Sequence, residues 1–233
     1  MTDQHQKHVF IITYGRSGST LLQKILQSIP GYFIRGENKN TLYGLFRAYE
    51  AATETRYVHG KKEHEDEAPW FGAHDVVPER FAAKLASLFV EEILQPPADA
   101  RVVGFKEIRF PDIPDEKFEP FLNFMHRYFP GCQFIFNSRR WQDVAQSGWW
   151  KTMNPELVEK LVKSCDARFR SYMSAYPDRG IQLHFEKITK DVSAIRPLFD
   201  FLGEPMDEVS INGIINTRLK HPGTQNIADV SAK

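Results

Sequence analysis

Residues Phe10–Leu26, FIITYGRSGSTLLQKIL, run from an apolar stretch through glycine and hydroxyl residues directly into a helical pattern. A strand, a tight turn and a helix N-terminus in that order gather unpaired backbone N–H groups and the positive end of a helix dipole at one point. That makes an anion site by geometry alone. A triphosphate loop would end in Gly-Lys-Ser or Gly-Lys-Thr. Here the same place reads Gly18-Ser19-Thr20, and the cation is Arg16, earlier in the loop. Ser17, Ser19 and Thr20 add hydroxyl donors, and Arg16 adds a planar fork of them. Without the lysine that meets the β and γ phosphates, the loop suits an anion of lower charge than a magnesium-bound triphosphate. Taken alone it also reads as an ordinary strand-to-helix turn with an N-cap.

Outward from this stretch, the runs HVFIITY (8–14), YFIR (32–35), RVVGFK (101–106), QFIFNS (133–138) and IQLHF (181–185) are rich in β-branched and aromatic residues. Most are nearly continuous rather than alternating, as in strands buried on both faces of a parallel sheet. Helical spacing fills the intervals: Leu21, Leu22, Ile25, Leu26 and Ile29; Phe81, Leu85, Leu88, Phe89 and Ile93; then Ile195, Leu198, Phe199 and Leu202, with Gly203 as a stop. The expected fold is α/β, a three-layer sandwich around a mainly parallel sheet of about five strands, in a single domain over 1–233. The polar segment 54–79 is long for a connection and reads as disordered or as a lid over a site. Its His59, His64 and His74 fit no familiar metal spacing and read as part of a solvated loop, so no metal site is expected.

Lysine plus arginine and aspartate plus glutamate balance at 30 each, which gives no reason to expect nucleic acid or an anionic membrane as partner. The two cysteines, Cys132 and Cys165, form no C-x-x-C, which argues against a disulfide scaffold or a zinc ribbon. No signal-like N-terminal run and no stretch of ~18 apolar residues occurs, so a cytoplasmic chain without an integral membrane segment is expected.

A second anion grip lies in FIFNSRRWQDVAQSGWW, Phe134–Trp150. Arg139 follows the fourth strand, and Ser147 stands eight residues later, which a continuous helix would carry about two turns on. The two could clamp one phosphate. The competing reading pairs Arg139 or Arg140 with Asp143 and leaves Ser147 to packing. Grips at the carboxyl ends of two parallel strands lie where open α/β sheets bind ligands.

Together these segments resemble the sulfotransferases that use 3′-phosphoadenosine-5′-phosphosulfate. YGRSGSTLL is similar to their 5′-phosphosulfate loop and SRRWQDVAQS to their 3′-phosphate motif. SIPGYFIRGE resembles the segment after the loop helix in the carbohydrate and protein-tyrosine branches, and LHFEKITKDVSAIRPLFDFLGEP the late strand–helix signature. The likeness runs from residue 8 to residue 205 in the family's order. The cytosolic aryl and steroid branch opens its loop with lysine and uses a histidine base, and none of the eight histidines here sits in a matching segment. The third motif reads Phe185-Glu186-Lys187 rather than Tyr-Glu-Asp, and NTRLKHPG (216–223) stands in for a glycine-rich loop. The branch with a glutamate base fits better.

The resemblance implies roles residue by residue. Arg16, Ser17, Gly18, Ser19 and Thr20 hold the 5′ end of the donor; Arg139 and Ser147 hold its 3′-phosphate, with Arg218 and Lys220 closing over it from the tail. Arg16 also meets the sulfuryl oxygens in flight. Glu37 is the general base, a role that suits a half-desolvated carboxylate; otherwise it caps the next helix or pairs with Lys39. Lys106 neutralises the sulfuryl oxygens or the leaving phosphate, or else pairs with Glu107. Arg109 faces the acceptor. One of Trp141, Trp149 and Trp150 stacks on adenine, with core or lid packing as the alternative. The reaction implied is metal-free, in-line transfer to a hydroxyl of a carbohydrate or small metabolite, with 3′,5′-adenosine bisphosphate as the second product. Two alternatives stay open. A divergent P-loop kinase or nucleotide hydrolase would want the missing lysine and a strand-terminal carboxylate for magnesium. A non-catalytic module would bind an anionic ligand without turnover.

Overall fold

The computed structural model describes residues 6–217, so Arg218 and Lys220 lie outside the described residues. Strands β1 (Lys7–Ile12), β2 (Tyr32–Arg35), β3 (Val102–Glu107), β4 (Gln133–Ser138) and β5 (Gly180–His184) form one sheet in the order β2-β3-β1-β4-β5. Every pairing is parallel. The continuous apolar strands are buried on both faces. Val9, Ile11, Val102 and Ile135 pack under helix α1 (Ser19–Gln27), whose Leu21, Leu22, Ile25 and Leu26 supply one stripe. Phe10, Ile12, Val103, Phe105, Phe134 and Phe136 face the opposite layer. There lie α2 (Thr41–Glu54), α3 (Pro78–Leu88), α4 (Asp115–Tyr128), the short α5 (Trp141–Ala145) and α6 (Pro155–Ala175). Helices α7 (Phe185–Lys190), α8 (Arg196–Leu202) and α9 (Glu208–Asn216) complete the described residues, and α8 ends where Gly203 turns left-handed at φ 71°. The expected three-layer α/β sandwich is the observed one.

Phenylalanines dominate the larger layer: the Phe10 ring lies 4.8 Å from Phe105 and 5.3 Å from Phe129. Each such side chain, taken from water, contributes about 1.5–3 kcal/mol. One position in the sheet admits no side chain at all. Gly104 sits mid-β3, between Val9 of β1 and Ile34 of β2, and a Cβ there would lie 1.6 Å from the Val9 carbonyl oxygen.

Two expectations change. In the pattern set on Phe81, Leu85, Leu88, Phe89 and Ile93, Leu85 and Phe89 are buried, but Phe81, Leu88 and Ile93 are exposed. The inner line runs instead through Ala82, Ala86, Val90 and Leu94. Alanines let α3 lie close on α2, and from Phe89 to Leu94 the chain widens into a π-helical turn that resets the angular step. The segment 54–79 is folded on itself: α2 continues into a π turn over Thr55–His59, a 3₁₀ turn spans Ala73–Asp75, and His59 stacks on Trp70 at 3.6 Å. Among the described residues no helix is long and apolar enough to cross a membrane.

Candidate active site

The loop after β1 is held from both sides. Arg16 and Gly18 are left-handed, at φ 65° and 84°. Glycine adopts that conformation freely, whereas for arginine it costs about 1–2 kcal/mol. Three contacts offset the strain: the Arg16 carbonyl accepts Nη1 of Arg139 at 3.0 Å, Arg16 Nε donates to Ser147 Oγ at 2.9 Å, and Asn137 Nδ2 donates to the Ser17 carbonyl at 2.9 Å. Gly18 is the N-cap residue of α1 and has no side chain to cap it, so the N–H groups of Ser19 and Thr20 stay open while that of Leu21 donates to the Gly18 carbonyl at 3.0 Å. Phe185 fills the space beside Gly18, where a Cβ would come within 2.1 Å of its ring.

The Ser17 hydroxyl does not face the loop's mouth. Thr13 Oγ1 lies 2.7 Å from both Ser17 Oγ and the Asn137 carbonyl. A hydroxyl has one proton and a carbonyl only accepts, so Thr13 donates to Asn137 and Ser17 donates to Thr13. The Ser17 hydroxyl proton is therefore taken by Thr13 rather than free as the side-chain donor expected of it. Ser19 is buried and Thr20 exposed. Of the three tryptophans considered for adenine, Trp149 and Trp150 reach the loop: Trp150 Nε1 donates to the Gly15 carbonyl at 3.2 Å, and a Cβ on Gly15 would meet Trp149 at 2.5 Å. Trp141 packs against the larger core.

Beyond β4, Arg140 rather than Arg139 takes Asp143, at 2.9 Å. The Arg139 guanidinium turns inward, stacked 4.6 Å over the Phe185 ring, with its Nε buried and without a partner. An unmatched buried donor beside open helix N–H groups fits an anionic ligand. Ser147 departs from expectation. Helix α5 stops at Ala145, so Ser147 is not carried two turns along it; it stands in extended backbone before a 3₁₀ turn, Gly148–Thr152. Left-handed Gly148, at φ 59°, lies against the Arg16 side chain, and Ser147 bonds Arg16 instead of Arg139.

A third cluster stands over β2 and β3. Glu37 Oε1 accepts Lys106 Nζ at 2.7 Å, and Oε2 accepts Arg109 Nη1 at 3.1 Å. The Lys106 side chain is 9% exposed and that of Glu37 32%, so the pair is half-shielded from water. Glu37 does not cap α2, where Asn38 Oδ1 receives the Thr41 N–H, and its two oxygens take Lys106 and Arg109 rather than Lys39. Lys106 does not pair with Glu107, since consecutive strand residues point to opposite faces. Lys106 shares the α1 face with Val102, the side on which the β1 loop enters its helix.

Glu107, noted in the sequence only as a possible partner of Lys106, proves to be the hub. It is fully buried and accepts the backbone N–H groups of Asn38 (3.0 Å), Asn40 (3.1 Å), Ile108 (2.8 Å) and Arg109 (3.1 Å), plus Arg109 Nη1 at 3.1 Å. These bonds hold Lys39 and Asn40, both left-handed at φ 56°, and so fix the segment that carries Glu37. Burial alone would raise the Glu107 carboxyl, but the N–H groups of Asn40, Ile108 and Asn38 and the Arg109 charge together hold it below the ordinary value. Its charge thus stabilises the fold fully above the unfolded carboxylate's pKa, and that stabilisation is lost as pH falls through the lower folded value. Glu107→Gln is expected to cost about 3 kcal/mol at neutral pH. Urea unfolding at successively lower pH should show the gap to the parent protein closing, and a pH-independent gap would contradict the assignment.

The three clusters share one edge of the sheet, at the carboxyl ends of adjacent parallel strands. The helix after β1 covers one face and the helices after β4 the other, which makes the crevice between β1 and β4 a topological switch point. Arg16 and Arg139 meet in that crevice. The sequence matches the family model described as "Sulfotransferase family" over residues 8–208. Among solved structures, the sulfotransferase domain from the Synechococcus PCC 7002 olefin synthase superposes with a TM-score of 0.58 at 19% identity, covering 89% of this chain and 77% of that one. The sulfotransferase domain from the curacin biosynthetic pathway gives 0.48 at 16% identity, covering 87% and 75%. No curated protein sequence matches. The first of these structures shares the fold, and the family match takes in every strand and all three clusters: the chain belongs to the sulfotransferase family.

Proposed function

We propose that the protein moves a sulfuryl group from 3′-phosphoadenosine-5′-phosphosulfate to a hydroxyl of a carbohydrate or small metabolite, with Glu37 as general base. The observation that carries this reading is the meeting of Arg16 and Arg139 at the switch point, with Glu37 and Lys106 paired over the neighbouring strands. The residues present fit the donor: open helix N–H groups and Arg16 suit its 5′-phosphosulfate, and the unmatched Arg139 Nε suits its 3′-phosphate. When bound, the donor supplies an activated sulfuryl group on a phosphate leaving group.

The chain's own residues do the rest by positioning and electrostatics. Gly18, Ser19 and Thr20 present backbone N–H groups, and Ser17 its backbone, to the 5′ end. Arg16 keeps its guanidinium at the loop's mouth, steadied by Ser147, and stabilises charge on the sulfuryl oxygens. Glu37 is held through both carboxylate oxygens and has lone pairs left to take the acceptor's proton. Lys106, nearly buried, neutralises the charge that builds on the sulfuryl oxygens or the leaving phosphate. Arg109, half-exposed beside Glu37, faces the acceptor. Trp149 lies over Gly15 where an adenine could stack. Arg218 and Lys220, outside the described residues, would close over the 3′-phosphate. The reading needs no metal.

Family membership and the missing loop lysine favour sulfuryl over phosphoryl transfer. The experiment is calorimetric binding of 3′,5′-adenosine bisphosphate, with and without EDTA, against ATP plus magnesium. Metal-independent binding, weakened about 10- to 100-fold in Arg139→Ala, is the expected result. Preference for magnesium-ATP would sink the donor assignment. Binding without turnover on a broad acceptor panel would favour a non-catalytic module.

A further inference from the structure

Arg139 owes its placement to residues that never reach the crevice. The Tyr14 hydroxyl accepts the Arg139 N–H at 2.8 Å and lies 3.0 Å from the Arg139 carbonyl, so one phenol grips both backbone groups of one residue. Tyr14 is itself fully buried, with its ring stacked parallel to Phe169, 6.4 Å between centroids. Behind it stands Asp166 of α6. Its Oδ1 accepts the Ser138 hydroxyl at 2.7 Å and lies 3.4 Å from the Tyr14 hydroxyl. Gln182 of β5 donates to Ser138 Oγ at 2.7 Å. Tyr14 at the end of β1, Ser138 at the end of β4, Gln182 on β5 and Asp166 on α6 thus converge on the peptide that launches Arg139.

The charge on Asp166 calls for an explanation. Burial lifts its carboxyl above the ordinary value, against the Ser138 hydrogen bond. Among the described residues Asp166 forms no ion pair of 4 Å or less. His184 and Arg170 lend it charge from beyond salt-bridge distance, so a half-buried carboxylate here is only partly compensated, and a structural role could be filled by a neutral acceptor. What a charged acceptor adds is a stronger, more directional hydrogen bond from Ser138, the residue before Arg139, beside the phenol that holds the Arg139 backbone.

We infer that Tyr14 and Asp166 are positioning residues for Arg139, setting its guanidinium for the 3′-phosphate and so setting the preference for a 3′-phosphorylated nucleotide. The inference rests on the proposed donor. It extends that reading from the group that touches the phosphate to the pair behind it. Neither residue touches the nucleotide.

The test is calorimetric, with 3′,5′-adenosine bisphosphate and adenosine 5′-monophosphate as the two probes. Tyr14→Phe removes one oxygen and keeps the buried ring; Asp166→Asn keeps the shape and removes the charge. Each is expected to weaken the bisphosphate about tenfold and leave the monophosphate within twofold, so that their affinity ratio falls. A purely structural role would weaken both nucleotides alike, along with the melting temperature, and that outcome overturns the inference. So does an unchanged ratio in both variants while Arg139→Ala collapses it. An Arg139→Ala protein that keeps the full ratio would overturn the donor assignment first, and this inference with it. Should Tyr14→Phe fail to fold, Asp166→Asn and Ser138→Ala carry the same comparison.

Discussion

Glu37→Gln is expected to lower turnover by about 10²- to 10⁴-fold while 3′,5′-adenosine bisphosphate binds as before. The amide keeps the size of the carboxylate but cannot take a proton from the acceptor. It also cannot satisfy both neighbours, because Lys106 Nζ and Arg109 Nη1 each donate to a different Glu37 oxygen and the amide has only one. On the proposed reading the donor's contacts lie elsewhere, over β1 and β4, so its affinity should not move. The measurement is release of 3′,5′-adenosine bisphosphate from the donor over a panel of sugar and small-metabolite hydroxyls, beside calorimetry of the same variant. Full activity would take Glu37 out of the mechanism. Loss of binding together with activity would mean that the Lys106 pair supports the whole edge of the sheet rather than one chemical step.

Gly104→Ala is expected to be the most damaging single methyl in the molecule. The added carbon would sit 1.6 Å from the Val9 carbonyl oxygen and 2.7 Å from its carbon, far inside contact distance. That neighbour is backbone in the central strand pair, registered Val9 to Gly104, so it cannot swing aside as a flexible side chain would. Overpacking a core commonly costs 1–3 kcal/mol when neighbours can shift; with none free to shift, a loss above about 4 kcal/mol is expected. Equilibrium unfolding in urea would read it, provided folded protein can be made at all. Gly44, inside α2 with nothing within 4 Å, is the matched control: Gly44→Ala should stabilise by about 0.5–1 kcal/mol. A mild Gly104→Ala variant would mean that β1 and β3 are less closely paired than described.

Legibility in the sequence followed the length of the range over which each feature is decided. A strand buried on both faces is written in its own residues, and so YFIR and QFIFNS were delimited to the residue, and the other three within a residue or two. The loop and the start of α1 at Ser19 are equally local. The α3 face was not, because small residues signal close approach only when the partner helix is known, and Ala82 and Ala86 carry no hydrophobic bulk to mark it. Ser147 was set on a helix because spacing alone does not show that left-handed Gly148 follows a helix of five residues. Arg16 and Arg139 could be named as anion-binding residues; that one would bond the other's backbone could not, since the contact spans 123 positions. The least legible residue was Glu107, whose five donors come from two separate stretches. Alternation along β3 could have separated it from Lys106, for neighbours on a strand face opposite ways.

The strand order carries a kinetic meaning. With β1 flanked by β3 on one side and β4 on the other, Arg139 and the Glu37–Lys106 pair stand on opposite flanks of the loop that holds Arg16. On the proposed chemistry, nucleotide and acceptor then have separate berths and can be resident together, one on each side of the migrating group. No side chain need carry that group between two half-reactions. On that reading the sheet, by seating its two guests apart, favours a ternary complex and a single displacement.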